Sequence, residues 1–168
     1  MSVAYRLIVV GTDNSADADA AVEFAAEMAR SARAPLHIVA MHHSYPDTFS
    51  GAQLRVPHAM GCSSVIRSTH ELTEARIVEI HRTHIELHAQ RLRLRGIDVS
   101  IHVVSGDPAN RLNDLVADLG ADLVVVGAHG LQGRRRRFGS VAVSVVRAAM
   151  VPVLVVPASG GSTGLSWV

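Results

Sequence analysis

The chain has 168 residues, a formal net charge of +1 and 48% apolar residues, so one domain can bury a sizeable core without staples. The near-neutral balance excludes a global field drawing it to nucleic acid, the lone Cys62 excludes an intramolecular disulfide framework, and no apolar run is long enough to span a bilayer. All 16 basic residues are arginine, which excludes a Walker-type phosphate lysine, a Schiff-base lysine and a lysine general base together. A single cysteine suits a reducing cytosol, and the N-terminus lacks a basic-then-apolar signal pattern, so a cytoplasmic location is expected.

In chain order, strand-like and helix-like segments alternate, the pattern of an α/β domain with a mainly parallel sheet. The first strand is expected over about Arg6 to Thr12, ending in the polar turn Gly11-Thr12-Asp13-Asn14-Ser15. A helix follows over Ala16 to Ala32, with Ala21, Phe24, Ala25, Met28 and Ala32 on one face. Its acids Asp17 and Asp19 and its arginines Arg30 and Arg33 match the helix dipole. The second strand is Leu36 to Met41, and residues 44–62, aperiodic and rich in Pro, Gly and Ser, read as a long loop.

A long charged helix is expected from Ser64 to Arg95, with an apolar stripe through Val78, Ile85 and Leu92 and a stop at Gly96. The third strand covers Asp98 to Val104. Asp107 then Pro108 form a cap and a first helical position, and Leu112, Leu115, Val116 and Leu119 supply that helix's buried face. Leu123 to Val126 is the fourth strand, a helix runs from after Ser140 to about Met150, and Pro152 to Val156 is the fifth strand. Residues 1–157 thus read as one domain and 158–168 as a flexible Gly/Ser-rich tail.

The most informative stretch is Val124-Val125-Val126-Gly127-Ala128-His129-Gly130, a basic loop, and then Gly139-Ser140. It reads as a buried strand, a glycine-lined turn and a helix capped by Ser140, with free N–H groups at the helix start that favour an anion. The same residues could simply be a strand end, a loop and a cap.

These motifs resemble the universal stress protein family over about Arg6 to Pro157. Ile8 to Ser15 is similar to its strand-then-Asp-x-Ser turn, and Gly106-Asp107-Pro108-Ala109 to its Gly-Asp-Pro helix start. Gly120-Ala121-Asp122 resembles its entry to the fourth strand, and Pro152 to Pro157 its closing strand. Gly127-x2-Gly130, continued by Gly139-Ser140, resembles the nucleotide motif of the ATP-binding branch. Here the interval between the second and third glycines is one residue short, and four of its eight residues, Arg134 to Arg137, are arginine.

The resemblance implies a five-stranded, mainly parallel sheet ordered 3-2-1-4-5 with helices on both faces. Ligands of such sheets bind where the strand order reverses, beyond the carboxyl ends of the strands. Carried over by position, Gly127 opens the motif, and Gly130, Gly139, Ser140 and the N–H groups of Val141 and Ala142 hold the phosphates of ATP, with Mg as its companion ion. Asp13 faces the ribose, with a rival role in bonding its own turn backbone, and Thr12 and Met41 lie near the adenine. The implied protein is a homodimer through Pro152 to Val156 that signals to an unidentified protein partner, away from membranes.

Two alternatives stand beside this reading: a nucleotide-free homodimeric scaffold of the same fold, and an adenine-nucleotide hydrolase. The hydrolase group would need a Ser-Gly-Gly-x-Asp-Ser loop, which Gly11 to Ser15 is not. No nucleophile–base–acid set is evident, although slow ATP hydrolysis is left open.

Arg134 to Arg137 can neutralise phosphate or form a solvated loop, and nucleic-acid binding is not expected with so few aromatics to stack on bases. His81, His84 and His88 are spaced i, i+3 and i+7 and could present two imidazoles to a metal. Without an evident companion ligand they are expected on a charged helix face, and no metal site is assigned. Cys62 falls in the long loop without a motif.

Overall fold

The computed structural model describes residues 5–42, 62–129 and 138–157, with side chains over 5–41, 75–129 and 138–157. In order the elements are β1 (Ile8–Thr12), α1 (Ala16–Ala32), β2 (Leu36–His42), α2 (Cys62–Leu94), β3 (Val99–Ser105), α3 (Pro108–Leu119), β4 (Leu123–Gly127), α4 (Ser140–Ala148) and β5 (Val153–Val156). All neighbouring strands pair in parallel, in the order β3-β2-β1-β4-β5. That is the α/β architecture expected, with β1 and β4 side by side at the reversal of strand order.

β1 and β4 are covered on both faces, which is why they are continuous runs of β-branched residues rather than alternating ones. On one face, Ile8, Val10, Ile38 and Val125 pack with Ala21, Ala25 and Ala29 of α1 and Ile85, Ala89 and Leu92 of α2. On the other, Val9, Val39, Val124 and Val126 pack with Leu112 and Val116 of α3 and Ala142 and Val145 of α4.

Several local expectations need correction. β1 starts at Ile8 rather than Arg6, because the N–H groups of Arg6 and Leu7 donate to the carboxylate of Asp122 (2.9–3.2 Å) instead of to a neighbouring strand. Phe24 is 49% exposed: α1 lies close on the sheet through small residues, Ala18, Ala21, Ala25, Ala26 and Ala29, and Phe24 sits one position off that face. Cys62 is the first residue of α2 rather than part of the loop expected over 44–62, the rest of which lies outside the described residues. α4 ends at Ala148, short of Met150.

Other boundaries hold. Ser15 caps α1 by accepting from Ala18 N–H (3.3 Å), and Asp107 caps α3 through Asn110 N–H (2.9 Å) with Pro108 next. Gly96 follows α2 at φ +78°.

Candidate functional site

The turn after β1 is built from its own polar side chains. Thr12, 2% exposed, accepts from Asn14 N–H (3.1 Å), and Asp13 Oδ1 accepts from Ser15 N–H (3.1 Å), the local turn role that rivalled its expected ligand role. Asn14 adopts the left-handed conformation (φ +63°) that short polar side chains tolerate. Its Nδ2 lies 2.9 Å from His81 Nδ1, which ties the turn to α2. Asn14 Oδ1 is shut off from solvent with no hydrogen-bond partner among the described residues.

Three contacts draw the ends of β4 and α4 to this turn. Ser15 Oγ donates to the His129 carbonyl (3.3 Å), His129 N–H donates to Asp17 Oδ2 (3.1 Å), and Gly139 N–H donates to the Ala128 carbonyl (2.7 Å). The last bond fixes the start of α4 at the end of β4. It also corrects the expected cap: Gly139, not Ser140, is the N-cap, with no side-chain cap bond, and Ser140 is the first helical residue. The anion-binding capacity of α4 therefore resides in the first-turn N–H groups of Ser140, Val141 and Ala142, which find no partner within an α-helix.

Of the expected site residues, Thr12, Asp13, Gly127, Gly139, Ser140, Val141 and Ala142 belong to elements that meet at this switch point. Met41 is 8% exposed and belongs to the core cluster under α3 and α4; its Cε would lie 2.9 Å from a Cβ on Gly11. The glycine at position 127 is explained by packing, since a Cβ there would meet the Asp17–Ala18 backbone of α1 at 2.8 Å. Gly130 and Arg134 to Arg137 lie outside the described residues.

Asp17 and His129 escaped the sequence reading. Asp17 is 5% exposed and its Oδ2 also lies 2.9 Å from His129 Nδ1. A carboxylate accepts only, so Nδ1 carries the proton and the ring is held by a fixed tautomer. The available signal was a histidine inside the glycine motif. Its partner, 112 positions away, read only as a first-turn acid.

This geometry agrees with what comparison shows. The universal stress protein family model matches residues 4–157, and the chain belongs to that family. Universal stress protein A homolog 1 of Coxiella burnetii is 28% identical over 154 residues, covering 90% of this chain and 96% of that protein. Universal stress protein G of Shigella flexneri is 44% identical over 55 residues, a match that spans 33% of this chain and only 39% of the relative.

Among solved structures, universal stress protein UspA from Lactobacillus plantarum superposes with a TM-score of 0.73 at 22% identity, covering 92% of this chain and 99% of that one. A universal stress protein in complex with cAMP gives 0.59 at 28% identity, covering 93% and 99%. The universal stress protein of Archaeoglobus fulgidus in complex with dAMP gives 0.50 at 24%, covering 92% and 99%. Among the described residues, no helix is long and apolar enough to cross a membrane.

Proposed function

We propose that this protein is a cytoplasmic regulator that binds an adenine nucleotide, ATP foremost, at the switch point between β1 and β4, and that it acts as a homodimer towards a protein partner. The observation that carries the reading is the bond from Gly139 N–H to the Ala128 carbonyl, which sets the first turn of α4 against the carboxyl end of β4. First-turn N–H groups suit phosphate oxygens. Related proteins of the same fold solved with cAMP and dAMP support an adenine nucleotide as the ligand class. When ATP is bound, Mg would neutralise its phosphates. The chain's own part is to present Ser140, Val141 and Ala142 N–H to them and to hold Thr12 and Asp13 in the facing turn.

The alternative is a nucleotide-free homodimeric scaffold, favoured by the shortened interval that carries Arg134 to Arg137. Calorimetric titration of the purified protein with ATP, ADP, AMP and cAMP separates the two. Saturable binding is expected, with Gly130→Val weakening ATP more than tenfold, a loss above ~1.4 kcal/mol. Ser140→Ala should cost less, because main-chain N–H groups remain. Equal ATP affinity for wild type and Gly130→Val would dismiss the assigned cradle, and no heat with any nucleotide leaves the scaffold.

A further inference from the structure

One helical turn along α2 from His81, which bonds Asn14, two further histidines of α2 meet α1. His84 and His88 stand four residues apart, so both imidazoles project from one helix face. Asp19, in the first turn of α1, lies opposite them. His84 Nε2 and His88 Nε2 are each 3.5 Å from Asp19 Oδ1, and one ligand atom from each residue lies within 4.8 Å of the other two. Of the histidines expected on a charged helix face, His88 is instead buried, at 9% exposed, while His81 and His84 stay partly exposed.

Hydrogen bonding does not account for the cluster. A separation of 3.5 Å exceeds the usual N–H···O range of roughly 2.7–3.2 Å. It is close to the distance between neighbouring ligand atoms of a tetrahedral ion, about 3.3 Å for metal bonds of roughly 2.0–2.1 Å. Asp19 Oδ1 and His84 Nε2 are both shut off from solvent and lack a hydrogen-bond partner among the described residues. Buried polar atoms are rarely left in that state. Burial first of all, then the neighbouring His84, holds the His88 imidazole below its ordinary pKa against the pull of Asp19. The neutral imidazole is the form that ligates metals.

We propose that Asp19, His84 and His88 bind one divalent transition-metal ion of the zinc class, clamping α1 to α2. Two imidazoles and a carboxylate favour such an ion over Mg²⁺ or Ca²⁺, which take oxygen ligands. Three protein ligands leave the fourth coordination position to water. Glu86, between the two histidines, takes no part: it pairs with Arg93 at 2.8 Å.

The test uses the full-length, metal-stripped protein and Zn²⁺ alone, with Co²⁺ as a spectroscopic probe. One equivalent of Zn²⁺ should bind and raise the melting temperature, and Co²⁺ should give the visible absorption of a tetrahedral site. Asp19→Ala and His84→Ala should each weaken Zn²⁺ more than tenfold and abolish that absorption. Asp19 and His84 are partly exposed, so the metal-free variants should keep their circular dichroism and melting temperature. His37→Gln is the control among the ten histidines and should bind as wild type does. The proposal fails if both alanine variants retain wild-type Zn²⁺ affinity, if wild type binds Mg²⁺ equally well, or if His37→Gln alone removes binding.

Discussion

A methyl group at Gly127 would sit 2.8 Å from Ala18 N and the Asp17 carbonyl carbon and 3.0 Å from the Asp17 oxygen, all atoms of a helix backbone that cannot yield. At Gly11 it would meet Met41 Cε at 2.9 Å and Leu112 Cδ2 at 3.0 Å, the movable ends of flexible side chains. Overpacking costs about 1–3 kcal/mol, so Gly127→Ala should fall at the upper end and Gly11→Ala at the lower. Urea unfolding of the two variants decides it, and the reverse order would refute the packing account. At this scale the sequence was informative where a residue acts on near neighbours, as with Asp107 and Gly96, although it misplaced the cap of α4 by one residue. Where the partner is distant in the chain, it was silent. Asp17 with His129, and Asp19 with His84 and His88, are pairings that only the folded chain creates.

Between elements, β2 and β3 share a pair of histidines whose chemistry makes the joint sensitive to acid. His37 Nδ1 lies 2.9 Å from His102 Nε2, with the rings stacked at 5.0 Å. One nitrogen must donate and the other accept, so the contact needs at least one neutral ring. Burial is the main cause lowering both pKa values; His37 is lowered further by His102, and Asp98 opposes. His88 shifts in the same direction, again chiefly by burial. A depressed folded pKa means that the unfolded chain takes up protons first. The stability from these groups is therefore complete above about pH 6.5 and is lost as pH falls through the lower folded values. Urea midpoints should drop on acidification through that window, and His37→Gln with His102→Gln should flatten the slope. An unchanged slope in the double variant would remove the pair from the account. Asp122 acts at a different pH: N–H groups of Arg6 and Leu7 outweigh its burial and hold it below 3.8, so its contribution disappears only in stronger acid. The elements themselves were legible because periodicity and caps are local signals. Phe24 was misplaced because the helix face is chosen by the closeness of α1 to the sheet, which no local pattern encodes.

For the whole molecule, strand order followed from alternating strands and helices together with the family motifs, whereas assembly rests on what the sheet leaves uncovered. Among the described residues β5 pairs with β4 along one side only, and Val153 to Val156 are all half-buried in the single chain. Met150, just before it, is 96% exposed. Exposed apolar strand edges are templates for pairing and are normally covered. A second copy related by a two-fold axis presents the same edge to itself, so that each β5 covers the other and β3 lies at the two outer ends of the joined sheet. The proposed homodimer therefore joins β5 to β5. Val155→Asp sets two like charges against each other across that axis and should yield monomer by light scattering. Because Val155 also packs against the core beneath α3 and α4, Met150→Asp is the companion variant. Its side chain has no core contact to lose, so its folded monomer should melt as wild type does once dissociation is allowed for. A wild type that is monomeric at roughly micromolar concentrations, where such interfaces hold, or dimers that survive both charges, would place the interface elsewhere.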